Sequence, residues 1–576
     1  MVGEAASPSR ARRLYEGLND ALVAEGVEVI FGVIGAVIDR MMLDWVGRQR
    51  RRYLAARHEQ GAVHMAAGYA RATGRVGVAV VAQGPGLTNA GTALTAACLS
   101  RVPLVAIVAD KPAGSRLGNM DIDQPPFIQA TAGAIQPVSG PQHAAEEIQR
   151  AFRHVRLGQG PIVLHLPYDV AEAPLPADWS YRSAQSVLPP LQAPQPDPAQ
   201  VALVLAAIAQ SERPVVLAGR GAVRAGAREA LLILADRIGA ILATTLFARG
   251  WFDGHPFNVG VAGGFAPAAA REILNEADLV LAFGAALTQY TLDQGRLFPR
   301  ARLIQVDTNP AAIGEVVPVD GAVLADAAAM ARALAAGVGP RQRGWRSEAL
   351  ALRIAAIDPW AEGEPARPGY VDRREVVRLA DALLPPERLL VVDIGHFMGL
   401  PAAHFRVPHP FDLVFPWRLG AIGTALPEAI GAAVGRPDRL TVLFIGDGGL
   451  MMTLAELESA ARVQVPLIVI CEDDGGYAAE RVLFRGRGEP SLLSDFVNPD
   501  LAAVAATLGC RAFTARSAGE YAGILRGLGA VTGPVFIRVL IDPDQPDPRM
   551  ERGHQPVGQS LAARPTSPLG EVARPE

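Results

Sequence analysis

Short apolar runs that end in glycine or an acid recur along the chain, and alanine-rich helical sequence separates each run from the next. That alternation is the pattern of parallel sheets covered on both faces by helices, because a strand must cross back before its successor can run parallel to it. It occurs in three stretches. Strands are expected near 28–33, 76–82 ("VGVAVVA"), 103–109 ("PLVAIVA") and 161–166 ("PIVLHL") in the first, and at 214–219, 278–284 and 302–307 in the second. The third has 389–395 ("LLVVDIG"), 440–449 ("LTVLFIGDGG"), 466–476 ("PLIVICEDDGG") and 533–544. The expected fold is therefore α/β, with three consecutive parallel-sheet α/β domains at 1–185, 198–345 and 366–545. Residues 171–200, with seven prolines, read as a linker, and 546–576, rich in Pro, Gly, Ser and Arg, as a flexible tail or a lid. The first and third stretches end alike, "GPIVLHLPYD" and "GPVFIRVLIDPD", a hint of two related sheets flanking another.

Composition narrows the partners. Half of the 576 residues are apolar, 19% are charged, and the formal net charge of -4 offers no basic surface for nucleic acid. Cys98, Cys471 and Cys510 are too scattered for a disulfide framework or a metal-ligand spacing, which suits a reducing compartment. The N-terminus lacks a signal-peptide core and no stretch of about 20 residues is uniformly apolar, so the expected location is the cytoplasm, without a membrane partner.

Two strand ends carry the chemistry. "FIGDGG" closes one apolar run and "ICEDDGG" the next, so Asp447 and Asp474, 27 residues apart, are expected side by side at one sheet edge. Two carboxylates with nearby carbonyl oxygens make a hard site for Mg²⁺ or Ca²⁺. Gly446, Gly448 and Gly449 allow close backbone approach, and the helix that follows directs free N–H groups at the same place, as a phosphate requires. A lone "GDGG" is as well explained by a strand-end turn; the pair at this spacing is not.

"GDG", then 24 residues, then Asp473-Asp474 and "GGY", resembles the thiamine-diphosphate motif of acetolactate synthases, 2-oxo acid decarboxylases and benzaldehyde lyase, in which the pair is usually Asn-Asn. The resemblance spans about residues 14–545 and makes the three domains pyrimidine-binding, central and diphosphate-binding. It implies thiamine diphosphate and Mg²⁺, with Asp447, Asp474 and the main chain of Gly476 as metal ligands. Acids in place of amides at 473 and 474 are expected to favour a divalent ion yet repel the diphosphate once the metal is lost, making metal and cofactor binding unusually interdependent.

The resemblance gives other residues roles. Glu59, in "ARHEQGAVHMAAGYARATG", would contact the cofactor's aminopyrimidine; its apolar neighbourhood is of the kind that raises a carboxyl pKa, although a helix-start glutamate is by itself ordinary. Ile422, in "LGAIGTALPEAIGAA", would sit under the bent cofactor. Gly395, His396 and Phe397, in "DIGHFMG", would lie near the diphosphate, Met398 near the pyrimidine, and Tyr477 and Glu480 at the start of the substrate pocket. His58 and His64 flank the start of the Glu59 helix, where a structural role is as good a reading as a proton shuttle. Gln83 in "AQGPG" and Gln124 in "DIDQPPF" would offer amides to substrate. The benzaldehyde lyase type gives the nearest likeness, through "FGVIGAVIDRM" and "DIDQPPFIQATAGAIQPV", but Ile34 and Val37 stand where its histidines would be.

With Glu59 in the first domain and Asp447 in the third, the family pattern places active sites between subunits of a homodimer or homotetramer. The segment 282–295 lacks the residues that hold FAD in biosynthetic acetolactate synthases, so FAD is not expected. The implied reaction is decarboxylation of a small 2-oxo acid, with or without ligation to a carbonyl compound. Alternatives are an acyloin lyase, and a 2-hydroxyacyl-CoA lyase whose tail, through Arg549, Arg552 and Arg564, closes over phosphates. A non-catalytic homologue that only binds the cofactor is the remaining alternative. Arg418 in "WRLG" is the nearest candidate for a substrate carboxylate.

Overall fold

A computed structural model describes residues 11–35, 38–112, 115, 118–190, 192–339, 345–545 and 547–554, the side chains of 553 and 554 excepted. The apolar runs form three six-stranded sheets. The first holds β1 (Val29–Gly32), β2 (Arg52–Ala55), β3 (Gly77–Val81), β4 (Leu104–Asp110), β5 (Ile135–Pro137) and β6 (Ile162–Pro167). The second holds β7 (Pro214–Ala218), β8 (Ile241–Thr244), β9 (Asn258–Val261), β10 (Leu279–Phe283), β11 (Arg302–Asp307) and β12 (Gly321–Leu324). The third holds β13 (Arg388–Val392), β14 (Leu413–Val414), β15 (Leu440–Gly446), β16 (Leu467–Asp473), β17 (Arg511–Ala515) and β18 (Val535–Leu540). Every pairing within them is parallel. Central strands such as β3, β7, β10 and β13 are buried at each position, which is why they read as unbroken apolar runs. The strands with no such signal, β2, β5, β14 and β17 among them, are two to five residues long and lie at or near sheet edges.

The first sheet runs β2-β1-β3-β4-β6-β5 and the third β14-β13-β15-β16-β18-β17, the same order strand for strand. The middle sheet differs, running β12-β11-β10-β7-β8-β9. In the outer sheets the chain leaves β1 or β13 to one side and returns on the other as β3 or β15. The carboxyl ends of those two strands therefore flank a crevice, the topological switch point at which such sheets bind ligands.

One apolar core spans the outer sheets, while the middle sheet packs in cores of its own. The shared core depends on the crossing of helices Glu59–Thr73 and Ala425–Gly435. A methyl group on Gly68 would lie 2.0 Å from the carbonyl oxygen of Glu428, and one on Gly431 1.9 Å from that of Met65. Only glycine lets the backbones approach so closely. Glu428, buried at this crossing, has Arg71 at 3.1 Å and His64 at 3.4 Å, which gives His64 a place in the interdomain packing.

Beyond residue 545, the expectation of a flexible tail is corrected for residues 547–554. A helix at Pro548–His554 is docked between the middle and third sheets, where Met550 and Asp547 approach Gly399. Among the described residues no helix is long and apolar enough to cross a membrane.

Candidate active site

The crevice of the third sheet is built from the ends of β13 and β15, with β16 alongside. Asp393, just past β13, is fully buried and accepts hydrogen bonds from Gly423 N (2.7 Å) and Ala425 N (3.2 Å). Burial pushes its carboxyl up to about 7, against the opposing pull of those amides. Thr453 Oγ1 adds a bond to the carbonyl of Gly423 (2.8 Å), so the turn that presents the half-buried Ile422 is fixed from two sides. A methyl group on Gly449 would meet the Asp393 carboxylate at 2.4 Å, and one on Gly448 the Tyr477 ring at 2.5 Å. These glycines are thus required by protein packing as well as by any ligand. Phe397 lies against Gly395 and Gly446, and Tyr477 meets Phe496 edge-on, with ring centroids 4.7 Å apart.

Asp447 begins the helix Asp447–Thr453 and is buried. Its Oδ2 accepts from Gly476 N (3.1 Å) and Asn498 Nδ2 (2.5 Å). Burial, reinforced by Asp474 and then Asp473, raises its carboxyl to about 7. Of these three acids it is the one without an ion pair among the described residues. Asp473 pairs with Arg538 at 2.6 Å, and Asp474 with the buried Arg373. Arg481 binds the carbonyls of Asp474 and Gly475, each at 3.3 Å, and Asp495 at 2.8 Å, fixing the turn between them.

At the first sheet's edge, Glu59 starts its helix directly after β2, with His58 as the capping residue. It is half-buried, and its Oε2 accepts from Asn89 Nδ2 (3.0 Å). Gln83, past the end of β3, has a buried amide oxygen without a hydrogen-bond partner among the described residues. The third sheet reaches this edge from within the same chain: Glu456 Oε1 accepts from Arg57 N (3.1 Å) and His58 N (3.2 Å), immediately before Glu59.

Comparison with known proteins decides the family. Models of the thiamine pyrophosphate enzyme match as N-terminal TPP binding domain over residues 12–133, central domain over 201–334 and C-terminal TPP binding domain over 393–539. An acetolactate synthase large subunit of Parasynechococcus marenigrum is 31% identical over 481 residues, 79% of this chain and 75% of that protein. The chain belongs to the thiamine pyrophosphate enzyme family. A probable acetolactate synthase large subunit of Methanocaldococcus jannaschii is 28% identical over 93% of both chains. A sulfoacetaldehyde acetyltransferase of Alcaligenes xylosoxydans xylosoxydans is 29% identical over 81% of this chain and 82% of that one. The chain is thus a thiamine-diphosphate-dependent enzyme of the acetolactate synthase and sulfoacetaldehyde acetyltransferase branch.

The site suits the groups this family uses. Asp447 is a buried carboxyl without an ion pair among the described residues, raised to about 7 by burial, Asp474 and Asp473, a group that a bound cation would hold ionised. Among the described residues no three His, Cys, Asp or Glu side chains converge as a metal site. Asp447, Asp474 and the Gly476 carbonyl would make a smaller set, of the hard oxygen type that leaves room for phosphate oxygens.

Several residues have other tasks than those expected. Gln124 is buried, with Oε1 accepting from Gly84 N and Nε2 donating to Ala109 O, both at 3.0 Å, and with His165 at 3.3 Å. Its buried amide braces the QGPG turn against β4, a structural task in place of the one expected toward substrate. His396 Nε2 accepts from Asp547 N at 3.3 Å, which ties it to the C-terminal segment instead of a diphosphate. Arg549 is buried against His404 (3.1 Å) and the Pro359 carbonyl, and Arg552 faces Glu362 (3.4 Å), so neither waits for phosphates. Arg564 and Val37 lie outside the described residues.

Met398 and Arg418 line a cleft of about 1140 Å³ between the three sheets, together with Arg220, Tyr290 and Trp417. Arg418 is stacked on Trp417 (5.2 Å) and makes no ion pair among the described residues. At the middle sheet's own switch point, Gly221 N donates to Gly284 O at 2.9 Å, and a methyl on Gly219 would lie 2.2 Å from that oxygen. Sequence reasoning missed Asp393, Asn498, Arg373, Arg481 and Glu456. Asp393 alone carried a signal, an acid closing an apolar strand as Asp447 and Asp474 do.

Proposed function

We propose that this enzyme decarboxylates a small 2-oxo acid and ligates the product to a second carbonyl compound, in the manner named for its acetolactate synthase relatives. The observation that carries the reading is the bond from Gly476 N to Asp447 Oδ2 (3.1 Å), which brings the turn after β16, with Asp474, against the end of β15, in a chain whose first sheet presents Glu59 at the matching edge. Asp447, Asp474 and the Gly476 carbonyl would hold Mg²⁺, with Gly446, Gly448 and Gly449 beside the diphosphate. When bound, thiamine diphosphate supplies a carbon nucleophile and an electron sink for the pair released as carbon dioxide leaves.

The protein's part is placement and proton handling. Glu59 holds or yields a proton at Oε1 while Asn89 fixes Oε2, which sets the direction of transfer. Ile422, on its pinned turn, would supply apolar bulk to the cofactor, and Met398 and Tyr477 would border it. Gln83 has an unused acceptor for a substrate hydroxyl or an amino group. Arg418, without an ion pair among the described residues, is a guanidinium available to a substrate carboxylate. We take residues 1–185, 198–345 and 366–545 as the pyrimidine-binding, central and diphosphate-binding domains, and place each active site between two subunits of a homodimer or homotetramer.

The alternative is acyloin cleavage of the benzaldehyde lyase type, and Ile34 stands against it: this apolar side chain is 52% exposed just past β1, where that type would have a histidine. Product analysis separates the two. Purified protein with thiamine diphosphate, Mg²⁺ and pyruvate, alone and with benzaldehyde, is expected to release carbon dioxide and form acetolactate or an aromatic acyloin. Cleavage of an added acyloin, with pyruvate untouched, would select the second reading.

A further inference from the structure

Acids at 473 and 474 bring two formal negative charges to a site that must accept a diphosphate, and the structure sets a cation on each. Asp473 Oδ2 receives Arg538 Nε at 2.6 Å, while its Oδ1 receives Asn498 Nδ2 (2.9 Å) and Gly475 N (3.2 Å). Both of its oxygens are engaged. Asp474 differs. Its Oδ2 receives a guanidinium nitrogen of Arg373, but its Oδ1 lies 3.7 Å from Arg481, outside hydrogen-bond distance.

Arg373 is built into place. Its side chain is 4% exposed, its main-chain N–H is held by Gln545 Oε1 (3.1 Å), and Glu472 stands 3.6 Å away without a hydrogen bond to it. Arg481, an ion-pair partner of Asp474 at 3.7 Å, spends its hydrogen bonds on Asp495 and the loop carbonyls, so Arg373 is the cation hydrogen-bonded to Asp474.

We propose that Arg373 is a charge-cancelling partner that makes Asp474 equivalent to a neutral amide: one carboxylate oxygen is neutralised by Arg373 and the other is left for the metal. The inference rests on the reading of Asp447, Asp474 and Gly476 as the Mg²⁺ site. It replaces the expectation of an unusually strong interdependence of metal and cofactor, because the Arg373–Asp474 pair adds no net charge beside the diphosphate. Arg373 is a positioning residue, acting only through Asp474.

The test is the sign of the change in cofactor affinity without metal. The full-length protein and the variants Arg373→Gln, Asp474→Asn and the double variant are titrated with thiamine diphosphate in EDTA and in excess Mg²⁺, by calorimetry. In EDTA, Arg373→Gln unmasks a negative charge and should weaken binding about tenfold, whereas Asp474→Asn unmasks a positive charge and should tighten it about tenfold. The double variant should return to within about threefold of wild type. A purely structural role moves both single variants the same way, and that result, or no shift in either, overturns the proposal. If Arg373→Gln alone does not fold, the remaining two decide: the gain of Asp474→Asn must vanish when Arg373→Gln is added, and a gain that persists overturns it. Wild-type protein that binds no thiamine diphosphate even with Mg²⁺ would instead refute the cofactor site itself.

Discussion

Glu59 is anchored through one carboxylate oxygen by Asn89, and this makes its substitution informative. Glutamine keeps an acceptor for Asn89 but has no proton to exchange. Glu59→Gln should slow hydrogen–deuterium exchange at the reactive carbon of bound thiamine diphosphate by about 100-fold or more, with cofactor affinity unchanged; exchange at the wild-type rate, followed by NMR, would remove Glu59 from the mechanism. Asp393 makes a prediction about pH. Its folded-state value, raised to about 7, lies above that of an unfolded aspartate, so the folded protein keeps a proton that the unfolded chain has lost. The stability due to this group therefore falls as pH rises from about 4 to about 7 and is level above. Asp393→Asn removes that slope: its deficit in apo-protein stability should be greater at pH 5 than at pH 8, by roughly 2 kcal/mol. A deficit equal at both pH values, in thermal melts, would mean that Asp393 is charged throughout.

Between elements, contact is made by backbone as much as by side chain. The helix Glu59–Thr73 touches the third sheet's elements twice, through Gly68 and Gly431 at the crossing and through Glu456 at its start. Glu456 accepts the two N–H groups that precede Glu59, so it aims that helix from across the domain boundary. Glu456→Ala should cut the exchange rate about tenfold while Glu456→Gln, which keeps an acceptor, stays near wild type; equal losses in both would assign the effect to charge. Gly431→Ala forces a methyl into the Met65 carbonyl and should cost about 3 kcal/mol or more, seen as a lowered melting temperature. These contacts also mark what could be read in advance. The ends of β15 and β16 were legible because an unbroken apolar run has one reason to stop at acids and glycines. The partners of those acids were not, since Arg373 lies 101 residues before Asp474 and Arg538 65 after Asp473, and only the crossovers bring them together. Gln124 was misread for the same cause: nothing in "DIDQPPF" announces the Gly84 amide and Ala109 carbonyl that occupy it.

At the scale of the molecule, the matching order of the outer sheets gives each chain two crevices of one design, with Glu59 at one and Asp447 at the other. The helix crossing fixes the two crevices relative to each other within a chain, and a second copy related by a twofold axis can then set the first crevice of each against the third-sheet crevice of its partner. Complementation distinguishes this from a site complete in one chain. Glu59→Gln and Asp447→Ala should each be almost inactive alone. Mixed subunits, unfolded and refolded together, form dimers in which one site carries both defects and the other none, so activity should return to about a quarter of wild type. Sites formed within single chains would stay inactive in every mixture, because each chain would keep its own lesion.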